Sequence, residues 1–178
     1  MKNLAIVIIL LFFPLICFSN GKPDVRKNIL AVKISDLHIT LDGQLTEPAW
    51  GATPVNEFVQ RDPNEGEKAS ETTNVWVAYD TEYIYVAAKL YDSKPELIDA
   101  SLTRRDNYID SDWFAVYVDP YNDKKTGYFF AVNAGGSLVD GILFNDSWDD
   151  FTWDGIWTAK TVIDNDGWTL EMKIPFSQ

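Results

Sequence analysis

Across most of the chain, apolar and polar positions alternate with a period of two, the pattern of strands that bury one face. Val75, Val77 and Tyr79 share one face of a first run, and Ile84, Val86, Ala88 and Leu90 share one face of the next. Asp80 and Thr81 stand between them and predict a tight hairpin. The same alternation predicts strands over residues 113–119, 128–133, 138–144, 156–163 and 168–174, and a shorter one over 37–41. Gly135 and Gly136, then Asn165, Asp166 and Gly167, offer the left-handed conformations that turns between such strands require. Helical pattern is confined to single turns near 46–50 and 93–98, each with a hydroxyl suited to capping and an early proline. Residues 61–73 form a charged loop without apolar periodicity, and no internal repeat or low-complexity tract interrupts the series. Many short strands at regular spacing predict an all-β fold, an immunoglobulin-like or jelly-roll-like β-sandwich with short helical turns.

The N-terminus departs from this pattern. Lys2 precedes an apolar run over 4–16, broken by Pro14, with small residues ahead of a cut after Ser19. This reads as a signal peptide over 1–19, too short for the roughly 20 apolar residues of a membrane span. Ile16, ahead of Cys17, speaks against a lipoprotein signal. A polar lead-in over 20–28 follows, and 29–178 suits one domain. Cys17 is the only cysteine and leaves with the signal, so the exported part has neither an internal disulfide nor a thiolate metal site. Acidic residues outnumber basic ones, 27 to 15, for a net charge of −12, which repels nucleic acid and anionic lipid. The chain stops at Gln178, directly after an apolar strand exit through Pro175 and Phe176, and reads as the front of a longer protein.

Signatures of catalysis are missing: no nucleophile elbow, phosphate loop, dinucleotide fingerprint or paired-histidine zinc motif occurs. His38, the one histidine, falls in a predicted strand and reads as structural. The many aspartates between Asp106 and Asp154 would allow a hydrolase pair, but abundance gives no pair in particular. The densest constellation is 145–157, where Trp148, Trp153 and Trp157 stand among Asp146, Asp149, Asp150 and Asp154. Indoles stack on the apolar faces of sugar rings while carboxylates accept from hydroxyls, so the run reads as a sugar platform. It reads equally as a plug for the sandwich end; Trp157 belongs to a strand and the core, and Trp148 and Trp153 to an exposed loop. Between two strands, Asp119, Asn122 and Asp123 place oxygen donors on one short turn, a candidate structural calcium site, although Lys124 and Lys125 add positive charge.

Leu41-Asp42-Gly43 and Leu45-Thr46-Glu47-Pro48-Ala49-Trp50 resemble the opening of carbohydrate-binding module family 9-like domains. So do Val77-Ala78-Tyr79-Asp80, Ile84-Tyr85-Val86, Asp110-Ser111-Asp112 with Val116 to Asp119, and the closing Gly167-Trp168, Glu171 and Ile174-Pro175-Phe176. The 119–132 stretch and the 145–157 run are similar to one subgroup: N-terminal domains of large bacterial surface proteins whose C-terminal part resembles an outer-membrane-type barrel of unknown function. The resemblance implies a β-sandwich, carbohydrate binding without catalysis, structural calcium, and export to the periplasm, outer membrane or surface of a Gram-negative bacterium. It also implies alternatives: a module docking on an attached barrel without binding sugar, or an accessory domain of a glycoside hydrolase serving carbohydrate catabolism. In glucan-binding members a glutamate stands at the position of Ala115, an arginine at Ala131 and a tryptophan near Tyr108 and Ile109, while Asn133 is retained. The resemblance therefore implies a sugar site rebuilt around other aromatics, with Trp148, Trp153 and Tyr108 stacking and Asn133 and Asp146 hydrogen-bonding.

Overall fold

A computed structural model describes residues 28–35, 38–145 and 148–177, without the side chain of Trp148. The signal segment over 1–19 and nearly all of the lead-in lie outside the described residues. The strands are β1 Val32–Lys33, β2 Thr73–Tyr79, β3 Tyr83–Tyr91, β4 Trp113–Val118, β5 Gly127–Asn133, β6 Leu138–Phe144, β7 Trp148–Asp150, β8 Thr158–Asp164 and β9 Gly167–Pro175. They form two sheets, ordered β1-β2-β3-β9-β8 and β4-β5-β6-β7, antiparallel throughout except for the β1–β2 pair.

The expected sandwich is observed. Asp80 closes the β2–β3 hairpin by accepting from the N–H groups of Glu82 and Tyr83, both at 2.7 Å. That turn fixes the register Val75↔Ala88 and Val77↔Val86, which puts the apolar set of both strands on one face. Between the sheets, Val75, Val86, Leu170, Met172 and Ile174 meet Phe130 and Val132, with Trp157 and Trp168 in the same cluster. Gly167 opens β9 at φ 145°, where a Cβ would lie 1.9 Å from the Leu90 carbonyl oxygen, so no other residue fits this close approach of β9 to β3.

Differences from expectation have local causes. The stretch 38–41 carries no strand; it belongs to an irregular segment lying on the first sheet. The two helical turns are 3-10 turns at Pro48–Gly51 and Pro95–Leu97, each with the expected proline but neither with a side-chain cap. Ser93, the expected cap of the second, donates to Glu71 instead. The two short strands β1 and β7 have too few residues for alternation to register.

The two outer faces of the sandwich differ. On the first sheet, Ala78, Tyr85 and Ala87 are buried beneath Ile34, Ala49 and Trp50 of the N-terminal segment. On the second sheet the outer side of the edge strand β4 is open, with Ala115 and Tyr117 exposed, whereas Phe129, Ala131 and Val139 further in are buried.

Candidate functional site

Alternation within β4 sends Phe114, Val116 and Val118 to the core and Trp113, Ala115 and Tyr117 outward. Strand register continues that outer face: Trp113 pairs with Asn133, Ala115 with Ala131 and Tyr117 with Phe129, and β6 adds Val139, Gly141 and Leu143. Gly141 is bare because a Cβ there would stand 2.5 Å from the Phe129 ring, so the ring lies flat across the strand. The result is an apolar floor of Phe129, Ala131 and Val139, edged by Trp113 and Leu143.

Aromatic rings rise from this floor. Tyr108 stacks on Trp113 at 4.4 Å and 17°, while the Trp113 indole is fixed by its donation to the Ile109 carbonyl at 2.9 Å. Tyr117, 66% exposed, lies against Phe129 at 5.9 Å, and Phe151 meets the same ring edge-on at 5.3 Å. Burial, and then the nearby Tyr117 phenol, push the Tyr108 hydroxyl above its ordinary pKa. Phe129, Ala131 and Val139 are at most 5% exposed, so the surface open on this side is Tyr108, Ala115 and Tyr117, and exposed aromatic rings suit a ligand that is apolar on its faces and polar at its rim. Polar groups border it: Asp149 pairs with Leu143 at the β7 side, and Lys124, Lys125 and Thr126 line a shallow pocket of about 210 Å³ beside Tyr117.

An ionic cluster holds the loops at the edge of this face. Asp140 is fully buried and accepts from Gly155 N–H at 2.8 Å, from the Trp157 indole at 2.7 Å and from the Arg105 guanidinium. Arg105 also donates to the Gly155 carbonyl at 2.7 Å and pairs with Asp154 at 3.3 Å and Asp106 at 3.6 Å. Burial, reinforced by the Asp140 charge, holds the Asp106 carboxyl above its ordinary value against the pull of Arg105. Oxygens of Asp106, Asp140 and Asp154 lie within 4.8 Å of one another, and Arg105 already provides the compensating charge there.

The sequence-predicted residues separate into different environments. Tyr108 is on the outer face, stacked on Trp113 and exposed. Trp153 is half-buried against Tyr128 at 4.9 Å and Phe130 at 6.1 Å, so it plugs the sandwich rather than standing in an exposed loop. Trp157 is in the core, as expected. Asn133 is wholly buried: its amide donates to the Ser101 carbonyl at 2.6 Å and to the Ser111 hydroxyl at 3.2 Å and accepts from Ser137 N–H at 2.7 Å, which leaves nothing for a ligand. Asp146 and the side chain of Trp148 lie outside the described residues; the Trp148 backbone opens β7 opposite Phe144.

Asp119 accepts from the N–H groups of Tyr121, Asp123 and Lys124, and Asp123 from those of Lys125 and Thr126 and from the Thr126 hydroxyl. Those donors hold the Asp123 carboxyl below its ordinary range. With Asn122 in the left-handed region, at φ 52°, these bonds close the turn on itself. Sequence reading missed Trp113, Tyr117 and Phe151; the signal was the aromatic pair four residues apart on one side of a strand whose other side is aliphatic and aromatic core.

No curated protein matches the chain significantly by sequence. Among solved structures, a family 9 carbohydrate-binding module from Caldicellulosiruptor kristjanssonii in complex with glucose superposes with a TM-score of 0.59 at 15% identity, over 85% of this chain and 70% of that one. The same organism's family 9 module in complex with cellotriose gives a TM-score of 0.52 at 15% identity, over 85% and 69%. At such identity the likeness speaks for the fold. The sequence profile described as "Carbohydrate family 9 binding domain-like" matches residues 41–178, most of the chain, and on that match the protein belongs to the carbohydrate family 9 binding domain-like family.

Proposed function

We propose that this domain binds carbohydrate without catalysis and that its sugar site is the outer face of β4, β5 and β6. The observation that carries the reading is the asymmetry of the sandwich. One outer face is sealed by the N-terminal segment, while the other leaves Tyr108 and Tyr117 exposed around Ala115. Exposed aromatics grouped on one face usually mark a binding surface. Family membership makes sugar the ligand class, and the bound glucose and cellotriose of the C. kristjanssonii modules make gluco-configured rings the first to try. Rings would stack on Tyr108 and Tyr117, with hydroxyls meeting Asp149, Lys125 and Thr126 at the rim. An N-terminal export signal suits this role, since it would deliver the domain to where polysaccharides are met.

Calorimetry of the soluble domain against a glycan panel that includes glucose and cellotriose tests the reading. Heat of binding is expected with at least one glycan. Tyr117→Ala should weaken it by about tenfold, the worth of one aromatic stacking contact, with little change in stability. No heat with any glycan, or equal affinity in the variant, contradicts the proposal.

A further inference from the structure

Arg105 is placed where three separate parts of the chain meet. Its own segment, 99–112, leaves the first sheet, docks on the free edge of β6 and ends at β4. Thr103 N–H donates to the Ser137 hydroxyl at 2.9 Å, Asp106 N–H to the Leu138 carbonyl at 3.0 Å, and Asp140 N–H to Asp106 at 3.3 Å. β7 pairs only with residues 142–144 of β6, so this segment takes the edge that β7 leaves open. The second part is β6 itself, through Asp140. The third is the 151–157 segment, which carries Phe151 and which Arg105 holds through the Gly155 carbonyl and Asp154.

We propose that Arg105 is a positioning residue for the aromatic face: it locks the segment bearing Tyr108 to the segment bearing Phe151 and so fixes the span between them. Without the guanidinium, Asp140 keeps Gly155, Trp157 and its own N–H bond to Asp106, and only the side-chain bridge from the 99–112 segment across to the 151–157 segment is lost. Each segment would then retain its own contacts with β6, while the direct bonds that Arg105 makes to the Gly155 carbonyl and to Asp154 would be gone. The geometry calls for arginine rather than any cation. One Nη2 reaches both Asp140 and the Gly155 carbonyl while Nε faces Asp154 and Asp106, a fork that a lysine ammonium cannot reproduce. The consequence for affinity rests on the sugar reading above; the consequence for loop order does not.

The test is hydrogen exchange and calorimetry on the whole chain, comparing wild type with Arg105→Lys and with Arg105→Gln, the second serving if the first folds poorly. Amides of Thr103, Asp106 and Gly155, all hydrogen-bonded in the two segments, should exchange about tenfold faster in both variants, the effect of losing charge-assisted hydrogen bonds, while β2, β3 and β9 stay unchanged. Glycan affinity should fall by about tenfold even in Arg105→Lys, which keeps the charge. Three results overturn the proposal: faster exchange confined to the 99–112 segment, wild-type behaviour in Arg105→Lys, or loosened segments with unaltered affinity. If wild type binds no glycan, the sugar reading fails, and the exchange pattern still decides whether Arg105 joins the two segments.

Discussion

Replacing Glu171 by glutamine should lower stability by about 2–4 kcal/mol, the loss expected when a buried polar network is left with donors facing donors. Glu171 is wholly buried in the middle of β9, on the face that the N-terminal segment covers. One carboxylate oxygen accepts from Asp42 and Gly43 N–H, at 3.1 and 3.0 Å, and the other accepts from the Trp50 indole at 3.0 Å. Gly43 adopts φ 83°, which turns its N–H inward, and a Cβ there would stand 3.0 Å from the Thr161 backbone and the Val162 side chain. Glutamine keeps the shape, but its NH2 must face either the two backbone donors or the indole. A lower denaturation midpoint with an unchanged slope against denaturant is the expected signature. An unaltered midpoint would show that packing of Trp50 alone holds the segment.

The same carboxyl sets a pH dependence. Three donors favour its ionised form, yet burial outweighs them, aided by the Glu47 charge, and holds its pKa above the ordinary glutamate value. A raised pKa means that the folded state keeps the proton to higher pH than the unfolded state does. This group's contribution to stability is therefore fully present at low pH and is lost as pH rises from the ordinary glutamate value through the raised one. Glu171→Gln should flatten that part of the stability profile, a change visible in melts taken across mildly acidic pH.

Asp140→Asn should cost about 2–3 kcal/mol. Its two oxygens serve Gly155 N–H on one side and the Trp157 indole with Arg105 on the other, so whichever way the amide is turned a buried donor meets a donor. The variant also leaves Arg105 with the Gly155 carbonyl and two more exposed carboxylates, Asp154 and Asp106. Urea denaturation followed by tryptophan fluorescence would report the loss through Trp157, which sits in the central core beside Phe130. A midpoint equal to wild type would mean that the cluster adds nothing to stability.

These two knots explain why scattered sequence matches travel together. Leu41-Asp42-Gly43, Trp50 and Glu171 are far apart in the chain and meet as one buried unit. Asp112, of the Asp110-Ser111-Asp112 run, accepts from Asp99 N–H at 2.7 Å, and Ser111 donates to the Asp99 carbonyl, so that run fastens a loop rather than touching a ligand. Strands were legible because burial of one face writes itself into alternate positions, as at Val75, Val77 and Ile84, Val86. The site was less so. An outward aromatic such as Tyr117 and an inward one such as Phe130 look alike in sequence, and only the pairing of β4 with β5 shows that Trp113, Tyr117 and Phe129 share a side. The tryptophan-rich run misled for the same reason: flanking aspartates made Trp153 look exposed, whereas its ring lies against Tyr128 and Phe130.

The sugar is expected on the outer face that carries Tyr108 and Tyr117. Amide chemical shifts of the labelled domain, titrated with whichever glycan gives binding heat, locate the bound ring on one face or another. Shifts are expected to group at Tyr108, over β4, and at Phe129, Ala131, Gly141, Leu143 and Phe151. Shifts grouped instead beneath the N-terminal segment at Ala78, Tyr85 and Ala87, or at the Tyr128–Trp153 end of the sandwich, would contradict it.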